Sequence, residues 1–183
     1  MRITGGRLAG RIVSCPPGPI RPAMDRIRES MFAALGDLSS VSFLDLFAGS
    51  GIMSLEALSR GARKALLIEK DRKKKKTILE NLKIAGGEES SLDETKLRIM
   101  PVERFLRGNI ERYDVVHIDP PFSMSNKENL LILADRAGQP LPGGTLVFHY
   151  PFGDRLPDIA CNLRLYDIRN YGQSRLAFYT RDN

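Results

Sequence analysis

The sequence predicts an α/β protein built on a mostly parallel β-sheet. From Phe43 onward, short apolar runs alternate with amphipathic stretches, which is the pattern of repeated strand–helix units. The last two apolar runs are joined at Gly172 with no helix between them, so they are predicted to pair as an antiparallel hairpin. We therefore expect a seven-stranded open sheet, with helices on both faces and the C-terminal hairpin closing one edge.

Each apolar run and each amphipathic stretch can be assigned in chain order. The predicted strands are SFLDLF, ALLIEK, KLRIM, YDVVHID, GTLVFHY, LRLYDIRNYG and SRLAFYTR. The predicted helices are SGIMSLEALSRG, DRKKKKTILENLKIAG, VERFLRG and NKENLLILADRAG. In the second of these helices Ile78, Leu82 and Ala85 share one face, and Gly86 marks its end. The polar stretch GGEESSLDET has no periodicity and is predicted to be a surface loop.

The first forty residues lie outside this repeat, so residues 1–40 are predicted to form an extension of a main domain at residues 41–183. The segment RITGGRLAGRIVS is interpreted as two short strands around glycines. One face of the following stretch carries the apolar residues expected of a helix: Met24, Ile27, Met31 and Leu35. A hairpin and one helix packed on the main domain are therefore expected.

Composition and charge restrict the kind of protein that this chain can be. Its 183 residues are 42% hydrophobic and 27% charged, which is typical of one folded globular domain. The net charge of +6 favours a polyanionic partner without identifying it. Cys15 and Cys161 show neither zinc-site spacing nor a disulfide framework, and no stretch has the pattern of a signal peptide or membrane span. We expect a cytoplasmic protein with free thiols, no metal and no membrane contact.

The stretch LDLFAGSG is the first candidate site because it lies where a predicted strand gives way to a helix. Gly49 and Gly51 allow the backbone to turn sharply and approach a ligand, and the helix amides can bind an acidic group. Glu69 ends the next strand, at the spacing where a carboxylate accepts hydrogen bonds from ribose hydroxyls. These features indicate an adenosine-type cofactor site, with a plain glycine turn as the alternative. Ser54 stands where a dinucleotide fingerprint has Gly or Ala, so NAD fits less well.

The stretch VVHIDPPFSM places a carboxylate, two prolines and an aromatic ring at the end of the predicted fourth strand. Open α/β sheets bind ligands beyond the carboxyl ends of their strands, so Asp119 is expected to face the same crevice as Gly49 and Glu69. Such a turn can accept the amino hydrogens of a flat base while Phe122 stacks on its ring. This favours methylation of an amino group with S-adenosylmethionine as donor. The alternative is a capped strand end with a buried phenylalanine.

Several blocks of the sequence together resemble one known family. The blocks RITGGRLAGR, RPAMDRIRESMF, LDLFAGSGIMSLEALSRGA, LIEKD, DPPF and GQSRLAFYTR resemble the RsmD family of bacterial 16S rRNA guanine-N2 methyltransferases. Many methyltransferases share the glycine turn and the DPPF turn, whereas the two N-terminal blocks narrow the resemblance to this family. The resemblance implies a Rossmann-like S-adenosylmethionine-dependent methyltransferase fold. It also implies that a methyl group is transferred to the N2 atom of one guanine in 16S rRNA.

The resemblance also assigns residues to roles. The catalytic set, which would hold the target base, is Asp119, Pro120, Pro121 and Phe122. The cofactor-binding set is Asp45, Phe47, Ala48, Gly49, Ser50, Gly51, Glu69, Lys70 and Val102. Within it, Asp45 would neighbour the methionine amino group, the glycine turn its carboxylate, and Glu69 the ribose. The implied partner is 16S rRNA within the assembled or assembling small ribosomal subunit, and a monomer is expected.

Arginines are concentrated in the N-terminal extension, which an enzyme acting on a small molecule would not need. The arginines expected to contact rRNA are Arg2, Arg7, Arg11 and Arg21. The lysine run KDRKKKK is interpreted as a solvated helix face instead. His117 and His149 lie within predicted strands, and we interpret both as core or supporting residues rather than as a catalytic base.

Three alternative functions are also compatible with the sequence. N6-adenine methylation of DNA uses a related turn, with Tyr more often than Phe at its last position. A non-catalytic RNA-binding ribosome-assembly factor could keep the same fold, although the intact Asp119 disfavours it. An NAD-dependent oxidoreductase is disfavoured by Ser54 and by the DPPF turn.

Overall fold

A computed structural model of the protein describes residues 1–16, 24–86 and 95–182. The chain divides into two compact units, Met1–Met100 and Pro101–Asn183. Arg21 and most of the predicted surface loop GGEESSLDET lie outside the described residues. The expected boundary between an extension and a main domain at residue 40 stays a prediction. No helix in the described ranges is long and apolar enough to cross a membrane.

The first unit consists of parallel strands joined by helices, as the alternating pattern predicts. Its helices are α1 (Met24–Leu35), α2 (Ile52–Ser59) and α3 (Lys75–Leu82), the last preceded by a 3₁₀ turn at Arg72–Lys74. Its strands are β1 (Ser42–Leu46), β2 (Lys64–Glu69) and β3 (Lys96–Ile99), hydrogen-bonded in the order β3-β2-β1. Every residue of β1 is buried, which is the burial expected of a strand inside a parallel sheet.

The N-terminal segment differs from the expected pair of strands. It contains a single antiparallel bridge, between Arg2 and Ile12, in place of a regular hairpin. The backbone groups between Gly5 and Leu8 bond to the end of α2 instead: Ser59 Oγ donates to the Gly5 carbonyl at 2.6 Å and accepts from the Leu8 amide at 2.9 Å. Donors and acceptors used in this way cannot also form a strand ladder, so the hairpin stays short.

A buried carboxylate on α2 fixes the same segment from a second side. Glu56 is fully buried, and its Oε1 accepts hydrogen bonds from the Thr4 amide at 2.6 Å and the Thr4 hydroxyl at 2.9 Å. Arg28 of α1 is also fully buried and donates to the same oxygen at 3.3 Å. The Arg28 guanidinium donates further to the Arg2 carbonyl at 2.7 Å. The pair therefore joins α1, α2 and the N-terminal segment at one point.

The second unit contains the remaining strands and the predicted C-terminal hairpin. Its helices are α4 (Val102–Gly108) and α5 (Glu128–Arg136). Its strands are β4 (Val115–Ile118), β5 (Thr145–Pro151), β6 (Ile159–Ala160), β7 (Leu163–Tyr171) and β8 (Ser174–Arg181), in the order β4-β5-β8-β7-β6. The β4–β5 pair is parallel, and the other pairs of this unit are antiparallel.

All seven predicted strands are present, and the described residues contain an eighth. The additional strand, β6, has only two residues and pairs with the start of β7. A two-residue strand is too short to show the period-two pattern by which strands are recognised in a sequence. The predicted turn between β7 and β8 is confirmed, and Gly172 adopts the left-handed backbone conformation there, with φ of 56°.

Replacing Arg28 with Met tests the buried pair on α2. Removing Arg28 leaves the buried Glu56 carboxylate with only the partly exposed Arg60 as its countercharge, at 3.3 Å. Breaking a buried pair by removing one partner typically costs about 3–5 kcal/mol. We therefore expect Arg28→Met to lower the free energy of unfolding by that order, as measured by chemical denaturation. The matched control is Lys76→Met, which breaks the exposed pair between Lys76 and Glu80 and should cost about 0.5 kcal/mol or less. Equal effects of the two substitutions would contradict this account.

Candidate functional site

The glycine turn after β1 has a backbone that few residues other than glycine can adopt. Phe47, Gly49 and Gly51 all lie in the left-handed region, with φ of 69°, 59° and 81°. The Gly51 amide donates to the Ala48 carbonyl at 2.8 Å, which closes the turn directly before α2 begins. A Cβ on Gly51 would lie 3.1 Å from Leu67 Cδ2, whereas one on Gly49 would meet nothing closer than 3.9 Å. The backbone at Gly49 therefore leaves space for a ligand.

Glu69, at the end of β2, holds the glycine turn in place. It is 5% exposed, and its Oε2 accepts a hydrogen bond from the Gly49 amide at 3.0 Å. Its Oε1 accepts from the Asp71 amide at 2.9 Å, and Lys74 Nζ donates to Oε2 at 3.3 Å. The structure thus brings Gly49 and Glu69 together. A carboxylate offers about four acceptor positions, so Glu69 keeps one for a ligand hydroxyl and gains a second if Lys74 moves away.

The interpretation of the run KDRKKKK as a solvated helix face is wrong for Lys74. Lys73, Lys75 and Lys76 are exposed, but Lys74 is partly buried against Glu69. The 3₁₀ turn at the start of this helix directs the Lys74 side chain toward the end of β2. One lysine of the run therefore supports the candidate site.

Asp45 is the acidic residue of β1, and it lies at the base of the glycine turn. Its side chain is fully buried, and Oδ2 accepts a hydrogen bond from the Ser54 hydroxyl at 2.9 Å. Ser54, which stands where a dinucleotide fingerprint has Gly or Ala, thus uses its hydroxyl to bind the Asp45 carboxylate. Ala48 is buried and its amide donates to the Ile68 carbonyl at 3.0 Å, while Lys70 is exposed directly after Glu69. Their contacts with a cofactor stay predictions.

Asn81 is a supporting residue that sequence reasoning missed. It is 2% exposed on α3, and its Nδ2 donates to the Ser50 carbonyl of the glycine turn at 2.9 Å. The same amide nitrogen donates to the Ser14 carbonyl at 2.8 Å, and Oδ1 accepts from the Ser14 amide at 2.9 Å. Asn81 therefore links the N-terminal segment to the glycine turn. The one sign of this role in the sequence is that Asn81 is a polar residue beside Ile78 and Leu82, on the apolar face of the helix.

In the second unit, the DPPF turn follows β4 and its aspartate is held by a histidine. His149 Nδ1 lies 2.8 Å from Asp119 Oδ1, so the imidazole donates its Nδ1 proton to the carboxylate. His149 is 2% exposed, and its Nε2 is buried with no hydrogen-bond partner among the described residues. The Asp119 side chain remains 21% exposed and is accessible to a ligand. The β4–β5 register, which pairs Ile118 with Phe148, places these two side chains side by side.

Phe122 packs against the same histidine. Its ring centroid lies 5.3 Å from that of His149, and the ring planes form an edge-to-face angle of 65°. Pro120 is buried and Pro121 is exposed, so the two prolines form the corner of the turn. His149, interpreted from sequence as a core or supporting residue, contacts both Asp119 and Phe122 of the turn. His117 is buried within β4.

A buried lysine anchors the segment after the DPPF turn, and sequence reasoning missed it. Lys127 is 6% exposed, and its Nζ donates to the Phe122 carbonyl at 2.9 Å and to the Met124 carbonyl at 2.6 Å. Asp154 supplies the countercharge at 2.7 Å. These three acceptors bind all three N–H donors of the Lys127 ammonium group, which offsets the free-energy cost of burying its charge. In the sequence, Lys127 has the appearance of an ordinary helix-start residue.

The remaining predicted residues lie apart from these contacts. Val102 is the first residue of α4 and is buried. Arg2, Arg7 and Arg11 are exposed on the N-terminal segment. Arg7 Nη2 donates to the Ala85 carbonyl at 2.9 Å, so part of its guanidinium supports the fold. In the described part of the chain, no group of three or more His, Cys, Asp or Glu side chains could hold a metal ion.

Comparisons with known proteins identify the family. The family model described as "Conserved hypothetical protein 95" matches residues 1–180. Ribosomal RNA small subunit methyltransferase D of Escherichia coli K12 is 31% identical over 185 residues, covering 100% of this chain and 90% of that protein. The chain belongs to the RsmD family. YlbH of Bacillus subtilis is 30% identical over 189 residues, covering 99% of each chain.

Solved structures confirm the expected fold of this RsmD-family chain. The protein yhhF from Escherichia coli matches with a TM-score of 0.86 and 31% identity, covering 100% of this chain and 98% of that one. A hypothetical protein from Thermus thermophilus matches with a TM-score of 0.82 and 31% identity, covering 98% and 99%. SMU.776, solved in complex with SAH, shares the fold at a TM-score of 0.68 and 14% identity, covering 87% of this chain and 50% of that one.

Replacing Lys127 with Met tests the anchor of the segment after the DPPF turn. Hydrogen bonds from a charged donor contribute about 1.5–3 kcal/mol, so their loss should raise amide hydrogen exchange in residues 122–126 by roughly 10- to 100-fold. Exchange in β4 and β5 should change much less. Arg155→Met, at an exposed position close to Asp154 in sequence, is the matched control. Unaltered protection of residues 122–126 in Lys127→Met would show that the lysine does not hold this segment.

Proposed function

We propose that the protein transfers a methyl group from S-adenosylmethionine to the exocyclic N2 of one guanine in 16S rRNA of the small ribosomal subunit. The observation that carries this proposal is the DPPF turn of an RsmD-family chain, with Asp119 oriented by His149 and Phe122 packed on the same imidazole. Membership in the family supports the rRNA substrate, because a relative covered along its length is named for ribosomal RNA methylation.

The residues of the first unit fit S-adenosylmethionine. Glu69 keeps one acceptor position for a ribose hydroxyl and gains a second if Lys74 moves away, and the open space beside Gly49 allows a ligand to approach the backbone of the turn. The bound cofactor would supply an electrophilic methyl group on a sulfonium centre. The fold is shared with a protein solved in complex with SAH, the product that remains after the methyl group has left. In this unit the proposed set is completed by Asp45, Phe47, Ala48, Ser50, Gly51 and Lys70, while Val102 is its member from the second unit.

The residues of the DPPF turn would bind and polarise the target base. Asp119 accepts a hydrogen of the guanine amino group, and its negative charge stabilises the positive charge that develops on nitrogen during alkylation. The hydrogen bond from His149 fixes the carboxylate orientation in advance, so little reorganisation is needed during the reaction. Phe122 stacks on the base and holds its amino group at Asp119. The nitrogen then loses one proton, and Asp119 is the adjacent group that can accept it.

The N-terminal segment would contribute to rRNA binding. Arg2 and Arg11 are exposed, and no acidic side chain pairs with either in the described ranges. Free guanidinium groups of this kind bind phosphate oxygens and position a protein on a nucleic acid. Arg7 has a structural hydrogen bond as well, so Arg11 is the better residue with which to examine RNA contact.

The decisive experiment is a methylation assay with nucleoside analysis. The purified protein is incubated with labelled S-adenosylmethionine and either intact small ribosomal subunits or protein-depleted 16S rRNA. We expect N2-methylguanosine in 16S rRNA as the labelled product. Calorimetry with S-adenosylmethionine and with NADH tests the cofactor separately. Labelled N6-methyladenosine, or no methylation in the presence of bound cofactor, would overturn the proposed substrate, and binding of NADH alone would overturn the cofactor.

Replacing Asp119 with Asn tests the role of the carboxylate. The amide keeps the size of the side chain and can still accept a hydrogen bond, but it lacks the charge that stabilises the transition state. We expect turnover to fall on the order of 100-fold or more, with nearly unchanged affinity for S-adenosylmethionine. Asp182→Asn, at an exposed position paired with Arg164, serves as the control. If Asp119→Asn retains close to the parent rate, Asp119 serves only as a strand cap.

A further inference from the structure

An exposed aromatic ring and an arginine lie against each other beyond the end of β5. The Phe152 side chain is 50% exposed, and Arg175 Cζ lies 4.0 Å from the centroid of its ring. We call these two residues the Phe152–Arg175 platform. The methyl-transfer chemistry described above uses neither side chain. Half of the Phe152 surface stays open to solvent, and the guanidinium of Arg175 covers part of the rest in a cation–π contact.

The platform is held in place before any partner binds. The Phe152 amide donates to the Gln173 carbonyl at 2.8 Å, which fixes the backbone of the ring to the β7–β8 turn. Arg175 lies opposite Tyr150 in the β5–β8 register, and its Nε donates to Asn170 Oδ1 at 3.0 Å. A rigid, flat pair loses little conformational entropy on binding, which is an advantage for a stacking surface.

The charge of the platform is not neutralised within the described residues. The contacts of Arg175 are with Asn170, with the Phe152 ring and with the Tyr150 hydroxyl, and none is a carboxylate. Burial raises the pKa of Tyr150, and the nearby Arg175 guanidinium opposes this shift. Because Tyr150 keeps its proton, it does not cancel the positive charge of the arginine. The platform therefore combines a π-face with an unpaired cation.

The platform lies at the same edge of the second unit as the DPPF turn. The register of β4 and β5 places Asp119 beside His149, and Phe152 follows His149 by three residues. At about 3.3 Å per residue, three residues separate their backbones by roughly 10 Å along the strand. Side chains alternate between the two faces of a strand, so Arg175, which pairs with Tyr150, lies on the face opposite His149. The platform and the DPPF turn instead share the end of β5, where Lys127 Nζ bonds both to the Phe122 carbonyl and to Asp154, two residues after Phe152. A nucleotide adjacent to the one held by Asp119 and Phe122 can span such a distance when the RNA strand is not stacked.

From this placement we propose that the Phe152–Arg175 platform stacks an unpaired base next to the target guanine of the RNA substrate. Single-stranded bases stack on aromatic rings and on guanidinium planes, and an arginine also attracts the adjacent phosphates. The unpaired positive charge favours RNA over a protein partner, and the net charge of +6 acts in the same direction. This inference rests on the proposed function, since it concerns the substrate of the same reaction.

The kinetic test compares substitutions in the platform with one in a matched aromatic residue. Phe152→Ala should raise the KM for small-subunit methylation roughly tenfold, which is within the range for loss of one stacked base, while Phe152→Trp should keep it. Arg175→Met should raise KM and flatten its dependence on salt concentration. Affinity for S-adenosylmethionine should not change in any of them. The control is Tyr166→Ala, which removes another exposed ring, 55% exposed on β7.

A direct binding test separates this inference from the proposed function. Single-stranded RNA carrying 2-aminopurine beside a guanine is titrated with the parent protein, Phe152→Ala and Tyr166→Ala, and the change in fluorescence is recorded. Separation of the 2-aminopurine from the guanine that quenches it should raise the fluorescence, and such a rise with the parent and Tyr166→Ala, but not with Phe152→Ala, supports stacking even if no methylation is found. Equal changes with all three, or a parent-like KM for both Phe152→Ala and Arg175→Met, overturn the platform while methylation by the parent upholds the proposed function. Weaker binding to intact subunits without any change on naked RNA would indicate a protein partner and would also overturn it.

Discussion

The N-terminal half of this protein depends on one buried carboxylate. Glu56 accepts hydrogen bonds from both the amide and the hydroxyl of Thr4, and its charge is balanced by the buried Arg28 and by Arg60. Residues 1–13 bury only three apolar side chains, Ile3, Leu8 and Val13, and the glycines among them give this segment a large conformational entropy to lose. A charged acceptor in the interior supplies strong, directional bonds that oppose this loss. The bonds of Ser59 to Gly5 and Leu8 then hold the same segment at a second point.

Buried polar side chains also hold other irregular segments at the ends of strands. Asn81 and Glu69 bond to the backbone of the glycine turn, while Lys127 bonds to two carbonyls after the DPPF turn. His149 does so for the Asp119 side chain. Loops expose backbone groups that regular structure would satisfy, so each buried loop group needs a partner from elsewhere. Partners of this kind also hold the proposed catalytic groups in a defined orientation, which is the condition for electrostatic stabilisation of a transition state.

The distribution of charge follows from these internal pairs. Arg28 and Lys127 form ion pairs with acidic side chains inside the fold. In the ranges that the structure describes, Arg2, Arg11 and Arg175 have no acidic partner; Arg2 and Arg11 are exposed, and Arg175 packs on an aromatic ring. The formal net charge of +6 describes the whole chain and does not show where the positive charge is unpaired. A polyanion meets that charge at particular places on the surface. Free arginines on the N-terminal segment and beside β5 are suited to contacts with phosphates and unstacked bases, respectively.

The strands, their mostly parallel arrangement and the antiparallel C-terminal pair follow from the pattern of amino acids alone. The pattern also placed Gly49 near Glu69, because a strand, a tight turn and a helix of ordinary length leave one way for the next strand to return. These features are encoded in local burial patterns and turn residues, which can be read over a few neighbouring positions. The same patterns indicated the DPPF turn and its aspartate, and the RsmD-family blocks indicated the class of reaction.

The polar side chains that support the candidate site are recognised only in the folded protein. In the sequence Arg28 resembles a solvent-facing residue of an amphipathic helix, and Asn81 is a polar residue beside an apolar helix face. Lys127 resembles a helix start, and His149 part of a strand core. Their partners lie 28, 31, 27 and 30 residues away in the chain. Burying such a polar group is favourable only when the fold brings a hydrogen-bond partner next to it. Hydrophobic periodicity does not indicate which distant residue that partner is. For the same reason the two-residue strand β6 and the short N-terminal bridge became visible only in three dimensions.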